Sequence, residues 1–403
     1  MQDQAPITTE IVTDAELRES LHEEQFFASE SHSGTLLIAV TMLAMLWANS
    51  PWAQSYHDIW HLHTTLPILG KQHLHAIIND GLMAVFFLVV GLEIKREALL
   101  GSLASRRKAG LPVLAALGGI ILPALIYLCA TSIGAPQQGW GVPVATDIAF
   151  ALAMLQIFGR NMPAGARAFL SALAISDDIG AIAIIGFFYS SALNIMALAV
   201  AFGACGLLYA LNKLKIRLLL PYLAIGMGLW LAMFHSGVHP TIAGVLLAAA
   251  IPLRGTDSNA DLSPLGRLEK ILEPFSAWFV IPLFAFANAG IKVDLAHDGV
   301  GPVAMAIAAA LVIGKPLGIC LFSRLAVAFN IGELPPNVTW RHLFATSCLG
   351  GIGFTVSLFI AALAFAEGSN NFDQAKVGII LGSLLSVATG AWALRIVAPK
   401  LVR

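Results

Sequence analysis

The sequence predicts an all-α polytopic membrane protein. It has twelve transmembrane helices, inverted-topology repeats in spans 3–5 and 10–12, and two interrupted helices at spans 4 and 11. Three observations predict this fold. Of 403 residues, 58% are hydrophobic and only 12% charged, with a mean hydropathy of +0.79, far from the roughly 25% charged residues of a soluble domain. Apolar runs recur along the chain at lengths suited to a hydrocarbon layer about 30 Å thick. Lys and Arg fall almost wholly on one side of those runs, which orients them. A net charge of −1 offers no basic face and excludes nucleic acid as a partner.

Taken in order, residues 1–33 hold eight acids and a single basic residue, Arg18. That is the reverse of a cleavable signal's basic start, and Thr13 with Glu16 fits a capping box. Residues 1–25 read as an acidic, partly helical cytoplasmic extension and 26–403 as the transmembrane domain. Apolar segments then centre near Met42, Phe87, Leu122, Ile148, Ile179, Ala201, Gly226, Leu246, Val280, Ala310, Thr355 and Leu385. The seventh and eighth are short and close together, and length alone would allow eleven spans. Charge decides. Nineteen of the 23 Lys and Arg residues share one side; Lys71, Lys292 and Lys376 stand opposite, and Lys315 lies within a span. Twelve helices with both termini in the cytoplasm satisfy this bias, whereas an odd number puts the basic tail on the wrong side. Cys129, Cys205, Cys320 and Cys348 lie in apolar runs without paired or metal-ligand spacing and read as small core residues.

Spans 3–5 and 10–12 are seven helices apart, so they run oppositely through the bilayer. The middle helix of each set is interrupted, by Pro143-Val144-Ala145-Thr146-Asp147 and by Gly350-Gly351-Ile352-Gly353. Broken backbone at mid-depth survives only where protein or water satisfies its amides. Glycines that let helices pack closely are an alternative for span 11 alone; a matched pair of breaks points to a transport site.

Charged residues stand within these apolar runs. Asp177 and Asp178 are adjacent in span 5, Asp147 lies in span 4 and Lys315 in span 10. Each such charge costs about 2.5–3.5 kcal/mol on insertion scales, and four cost about 10–14 kcal/mol, comparable to the net stability of a domain. A protein that moves charge has a use for them. Successive helix positions lie about 100° apart, so Asp177 and Asp178 cannot point the same way, yet both can border one wet crevice. Two carboxylates sharing a site repel, and a proton or a hard cation relieves them. Sodium and lithium suit such oxygen ligands. If proton and cation exclude each other, exchange follows from alternating access. A helix–helix hydrogen bond is the structural alternative, but it needs one polar residue rather than two.

Several segments, in order, resemble those of the NhaA sodium/proton antiporters: Ile78–Glu97, Gly141–Leu152, Leu173–Ile182, Ser236–Gly244, Pro282–Gly290, Gly314–Ile319 and Gly350–Ala361. The likeness runs from about Phe26 to the C-terminus and leaves only the acidic head uncovered. It implies inverted repeats and crossed breaks in a bacterial inner-membrane protein that exports sodium or lithium for protons, electrogenically and under pH control, with no cofactor. Asp177 and Asp178 would bind the metal ion and protons alternately. Asp147 and Lys315 would balance the half-helix dipoles at the breaks, with Thr146 beside them. Lys315 could equally pair with Asp177, and the sequence leaves both readings open.

Glu93, Glu97 and Glu269 match the family's acidic, pH-responsive mouth, beside Lys95, Arg96, Lys270 and Glu273. A solvated salt-bridge cluster is the plain alternative. Histidine often stands in the family where Lys270 and Glu273 appear here. His239 would tune the pH response or simply pack. The resemblance also implies a homodimer joined through a β-hairpin around residues 57–75. His57, His61, His63, His73 and His75 crowd that loop as an exposed polar stretch, although Pro67 is awkward for a paired strand.

Other classes make different demands. An intramembrane aspartyl protease would share a proton between two aspartates that face each other from separate helices; Asp177 and Asp178 are neighbours on one. A passive cation channel would conduct without stoichiometric proton movement. A sodium-coupled solute symporter would need an organic-substrate pocket, which these motifs do not identify.

Overall fold

The computed structural model describes residues 34–66, 70–101, 103–190, 192–253, 263–291 and 300–397. The acidic extension with its capping box, Pro67 and Lys292 lie outside the described residues. Within them the chain is helical apart from one hairpin. Helix α1 (Gly34–Ala48) turns by 114° into α2 (Ala53–Trp60), which buries Tyr56 and Trp60. Strands β1 (His63–Leu66) and β2 (Gly70–His73) pair antiparallel, with His63 opposite His73 and Thr65 opposite Lys71. Then follow α3 (Leu74–Leu99) and α4 (Arg107–Ile133). A 3₁₀ segment, Gln137–Val144, bends by 44° into α5 (Ile148–Phe158).

The next helices are α6 (Ala164–Phe188) and α7 (Ile195–Lys213), α8 (Leu219–Phe234) and α9 (Ile242–Ala250), and α10 (Pro264–Asn288) and α11 (Pro302–Ala328). Helix α12 (Trp340–Leu349) bends by 50° into α13 (Phe354–Ala364), and α14 (Asn370–Val397) ends the described chain.

Each of the twelve apolar centres lies in a helix. By length and composition, among the described residues, seven helices can cross a membrane, or ten if each bent pair is one span. The difference arises at the short helices. Nine residues in α9 rise about 14 Å against about 30 Å of hydrocarbon.

Three π-helical turns interrupt the long helices, at Ile78–Leu82, Ser276–Val280 and Ala310–Gly314. The last two come just before Pro282 and Pro316. A proline supplies no N–H to the preceding turn, and widening that turn makes room for its ring. Where α4 crosses α11, Gly118 and Gly318 face each other so closely that a Cβ on either would overlap the other's carbonyl oxygen.

Apolar packing divides between two buried clusters. The larger joins α1, α2, α4, α5, α6 and α11 to α14. The smaller joins α7, α8 and α9. Helices α3 and α10 serve both: α3 gives Met83 and Phe87 to the first and Leu88 and Leu92 to the second, and α10 gives Phe284 to the first and Leu265 and Leu268 to the second. One cysteine departs from the core reading. Cys348 is buried, but Cys129 is exposed, because a lipid-facing position is as apolar in sequence as an interior one.

Candidate functional site

The two interruptions meet. The Asp147 N–H donates to Ile352 O at 2.7 Å, joining one break to the other. The Asp147 side chain caps both half-helices that begin there. Its Oδ1 accepts from Phe150 N–H at 3.1 Å; its Oδ2 accepts from Thr355 N–H at 3.1 Å and from the Thr355 hydroxyl at 2.5 Å. One carboxylate therefore serves the positive ends of α5 and α13, where an anion is most stabilised.

Lys315 follows the π turn of α11 and is wholly buried. Its Nζ makes an ion pair with Asp177 Oδ2 and donates to Thr146 Oγ1 at 2.9 Å. The Thr146 hydroxyl lies 2.6 Å from Asp177 Oδ2 and 2.8 Å from Gly350 O, with one proton to give to either. Of the two readings of Lys315, this geometry is that of the ion pair. Among the described residues, the lysine reaches the carbonyl end of α12 through Thr146.

The aspartate pair is split. Asp177 points to Lys315, and its second oxygen, Oδ1, is buried with no hydrogen-bond partner among the described residues. Asp178 faces a cavity of about 120 Å³ between α3, α10, α6 and the breaks. Thr146, Asp147 and Thr355 line it at the breaks, and Glu93, Arg96, Glu269 and Glu273 line it along α3 and α10. The crevice expected to be bordered by both aspartates is bordered by Asp178 alone, since the 100° step turns Asp177 toward α11.

The acidic mouth is partly as expected. Glu93 and Glu269 line the cavity, and Arg96 bridges to Glu269 at 3.5 Å. Glu97 lies one turn on, outside the cavity lining, with its carboxylate against Gly101. Lys95 turns away, donating to Ala249 O and Ile251 O at 2.7 and 2.5 Å. It closes the C-terminal end of α9 with Asn212, which donates to Ala250 O at 2.6 Å. Lys270 is exposed.

His239, in the connection before α9, sits with Nδ1 2.7 Å from Thr241 Oγ1 and Nε2 3.5 Å from Asp80 Oδ1. Burial pushes its pKa down to about 4. His61, His63 and His73 are exposed at the hairpin as expected, whereas His57 lies in α2 and is half-buried. His75 is not: it is buried, with Nε2 3.0 Å from Asn288 Oδ1 and Nδ1 3.1 Å from Glu367 Oε1.

Sequence reasoning missed Thr355 as a partner of Asp147. Its signal was weak, a threonine two residues after the glycine-rich break. It also missed Asp80, in the π turn of α3.

Two interrupted helices that meet over buried carboxylates and a buried lysine, in a bundle of long apolar helices, have the construction of a membrane transporter. The family described as Na+/H+ antiporter 1 matches residues 24–394. The Na(+)/H(+) antiporter NhaA 2 of Pseudomonas syringae pv. syringae is 47% identical over 375 residues, covering 92% of this chain and 94% of that protein. The Na(+)/H(+) antiporter NhaA of Aliivibrio salmonicida is 44% identical over 382 residues, covering 94% and 98%. In fold, the chain is similar to the sodium proton antiporter MjNhaP1 of Methanocaldococcus jannaschii, with a TM-score of 0.52 at 16% identity, covering 95% of this chain and 99% of that one. The chain belongs to the Na+/H+ antiporter 1 family.

Proposed function

We propose that this protein is a secondary active transporter, a sodium (or lithium)/proton antiporter of the bacterial inner membrane that exports the metal ion electrogenically. The observation that carries the reading is the division of labour between neighbours. Asp178 is open to a cavity, while Asp177 is held by Lys315 and Thr146 at the crossing of two breaks. A cation entering beside Glu93 and Glu269 meets Asp178 first. Recruiting Asp177 as a second ligand requires that Lys315 and Thr146 release its Oδ2 or that the cation take its free Oδ1. A proton on either carboxylate removes a cation ligand, so proton and cation compete for one place.

Twelve spans in inverted repeats, with both termini cytoplasmic, fit the Lys and Arg bias and put the cavity mouth on the cytoplasmic side. Residues 26–403 then form the transport domain and 1–25 a cytoplasmic extension. Control by pH belongs at that mouth: Glu93 and Glu269 are the first choice, Glu97 supports them from one turn away, and His239 acts at most from the opposite side. The hairpin within 57–75 joins two copies into a homodimer, embedded in lipid and requiring no cofactor.

If more than one proton enters per ion expelled, a negative interior drives the cycle, at about 2.3 kcal/mol per charge per 100 mV. In inverted vesicles, added sodium should dissipate the proton gradient faster under an imposed potential than without one. Equal rates would refute electrogenic exchange. Sodium flux that a pH gradient alone cannot reverse would favour a channel.

A further inference from the structure

On the side of the hairpin, about one helical turn from the cavity, stands an aromatic layer. The Phe359 ring of α13 lies 5.5 Å from Phe87 of α3, 6.2 Å from Phe284 of α10 and 5.2 Å from His239. Phe284 and Phe359 stand about one helical turn beyond the cavity-lining Ile281 and Thr355. All three phenylalanines are buried. Beyond this layer stand polar groups again: His75 and Asn288 are buried, Asn79 and Asp80 half-buried, and Glu367 half-exposed. Buried polar groups in an apolar bundle are costly to keep. An apolar seal with polar groups on both sides is a closed passage.

Among the described residues, ring contacts hold α13 against α3 and α10 at this layer. The directed tie lies beyond it. Asn288 spends its amide N–H groups on Asn79 Oδ1 and Phe284 O, each at 3.0 Å, which leaves its oxygen for His75 Nε2. His75 Nδ1 then faces Glu367, on the turn between α13 and α14, where Gly368 takes a positive φ of 74°. With Nε2–H given to Asn288, the two bond when a proton stands between Nδ1 and the carboxylate, on an imidazolium or on Glu367. This contact joins the hairpin ends of α3 and α10 to the far end of the second broken helix. Arg96–Glu269, at the opposite end, joins α3 to α10 and so stays within one wall.

We propose that the His75–Glu367 contact, backed by Asn288, is the outer latch of the exchange cycle. It holds the turn after α13 closed while the cavity is open toward Glu93 and Glu269, and it parts when the site opens outward. Glu367 is half-exposed, and pairs with one wet partner are weak enough to break in every cycle. The proposal rests on the exchange reading above.

The test uses full-length protein in proteoliposomes, with Cys129, Cys205, Cys320 and Cys348 replaced by alanine and with His75→Cys and Glu367→Cys. A short, reductant-cleavable bis-methanethiosulfonate reagent bridges the two introduced thiols. Bridging should slow sodium-driven proton movement by about tenfold or more, equivalent to 1.4 kcal/mol on the barrier, and reduction should restore it. Each single variant should be as fast with reagent as without it. Bridged protein that keeps more than half its rate, or thiols the reagent cannot join, would overturn the latch. Absence of sodium-dependent proton movement in the cysteine-free parent with His75 and Glu367 intact, and in the wild type, would overturn the exchange reading itself.

Discussion

At the scale of single residues, adjacency in sequence has produced opposite environments. Asp177 is committed to Lys315 and Asp178 to open space. Removing one member of a buried ion pair strands the other, at a cost of about 3–5 kcal/mol, whereas neutralising both together is far milder. Lys315→Ala should therefore lower the melting temperature in detergent, and adding Asp177→Asn should recover most of the loss. No recovery would contradict the pairing.

His239 allows a prediction of the opposite kind. Its folded pKa of about 4 lies below the roughly 6.5 of free histidine. The folded state therefore loses stability as pH falls from about 6.5 toward 4, and this residue contributes no change above that window. His239→Gln should leave the pH of half-maximal exchange where it is. A shift of a full pH unit would place the sensor at His239 after all.

The residues that stood out in the sequence did so because charge is conspicuous in an apolar run: Asp147, Asp177, Asp178 and Lys315 all belong to one place in space. Thr355 is an ordinary residue in such a run and gave no comparable signal. His75 sat among exposed histidines in sequence, and its burial is decided by Asn288, 213 positions away.

At the scale of elements, the breaks were legible because Pro143 and three closely spaced glycines cannot continue an apolar helix unaided. What joins the breaks was not, since Asp147 N–H to Ile352 O is a long-range contact between backbones. Asp147 should matter more to the shape of the site than to ion binding. Asp147→Ala removes the cap from two helices at once, at about 0.5–2 kcal/mol for each cap. It should lower the melting temperature measurably, and an unchanged value would mean that the caps are not needed.

The crossing of α4 and α11 makes a sharper demand. Gly118→Ala would drive a methyl group into Gly318 O, and overpacking of this kind costs about 1–3 kcal/mol. A variant with unaltered stability would show that the two helices can separate freely. The third bend, between α1 and α2, carried no charged residue to mark it and went unread.

At the scale of the whole molecule, two apolar clusters share α3 and α10, which both line the cavity. One cluster carries the crossed breaks and the other the wall that faces them. The positive-inside bias was readable at this scale because it is a property of loops. Where two clusters divide was not, since an apolar run does not say which neighbour it will meet.

The central claim is that protons and sodium compete for one acidic site. Its most direct measurement is the number of protons released when sodium binds to purified protein, from calorimetric titrations in buffers of different ionisation enthalpy. Sodium binding to the wild type should release protons, and Asp178→Asn should abolish both the binding and the release. Sodium that binds with no proton leaving, or release that is unchanged in both Asp177→Asn and Asp178→Asn, would contradict the account.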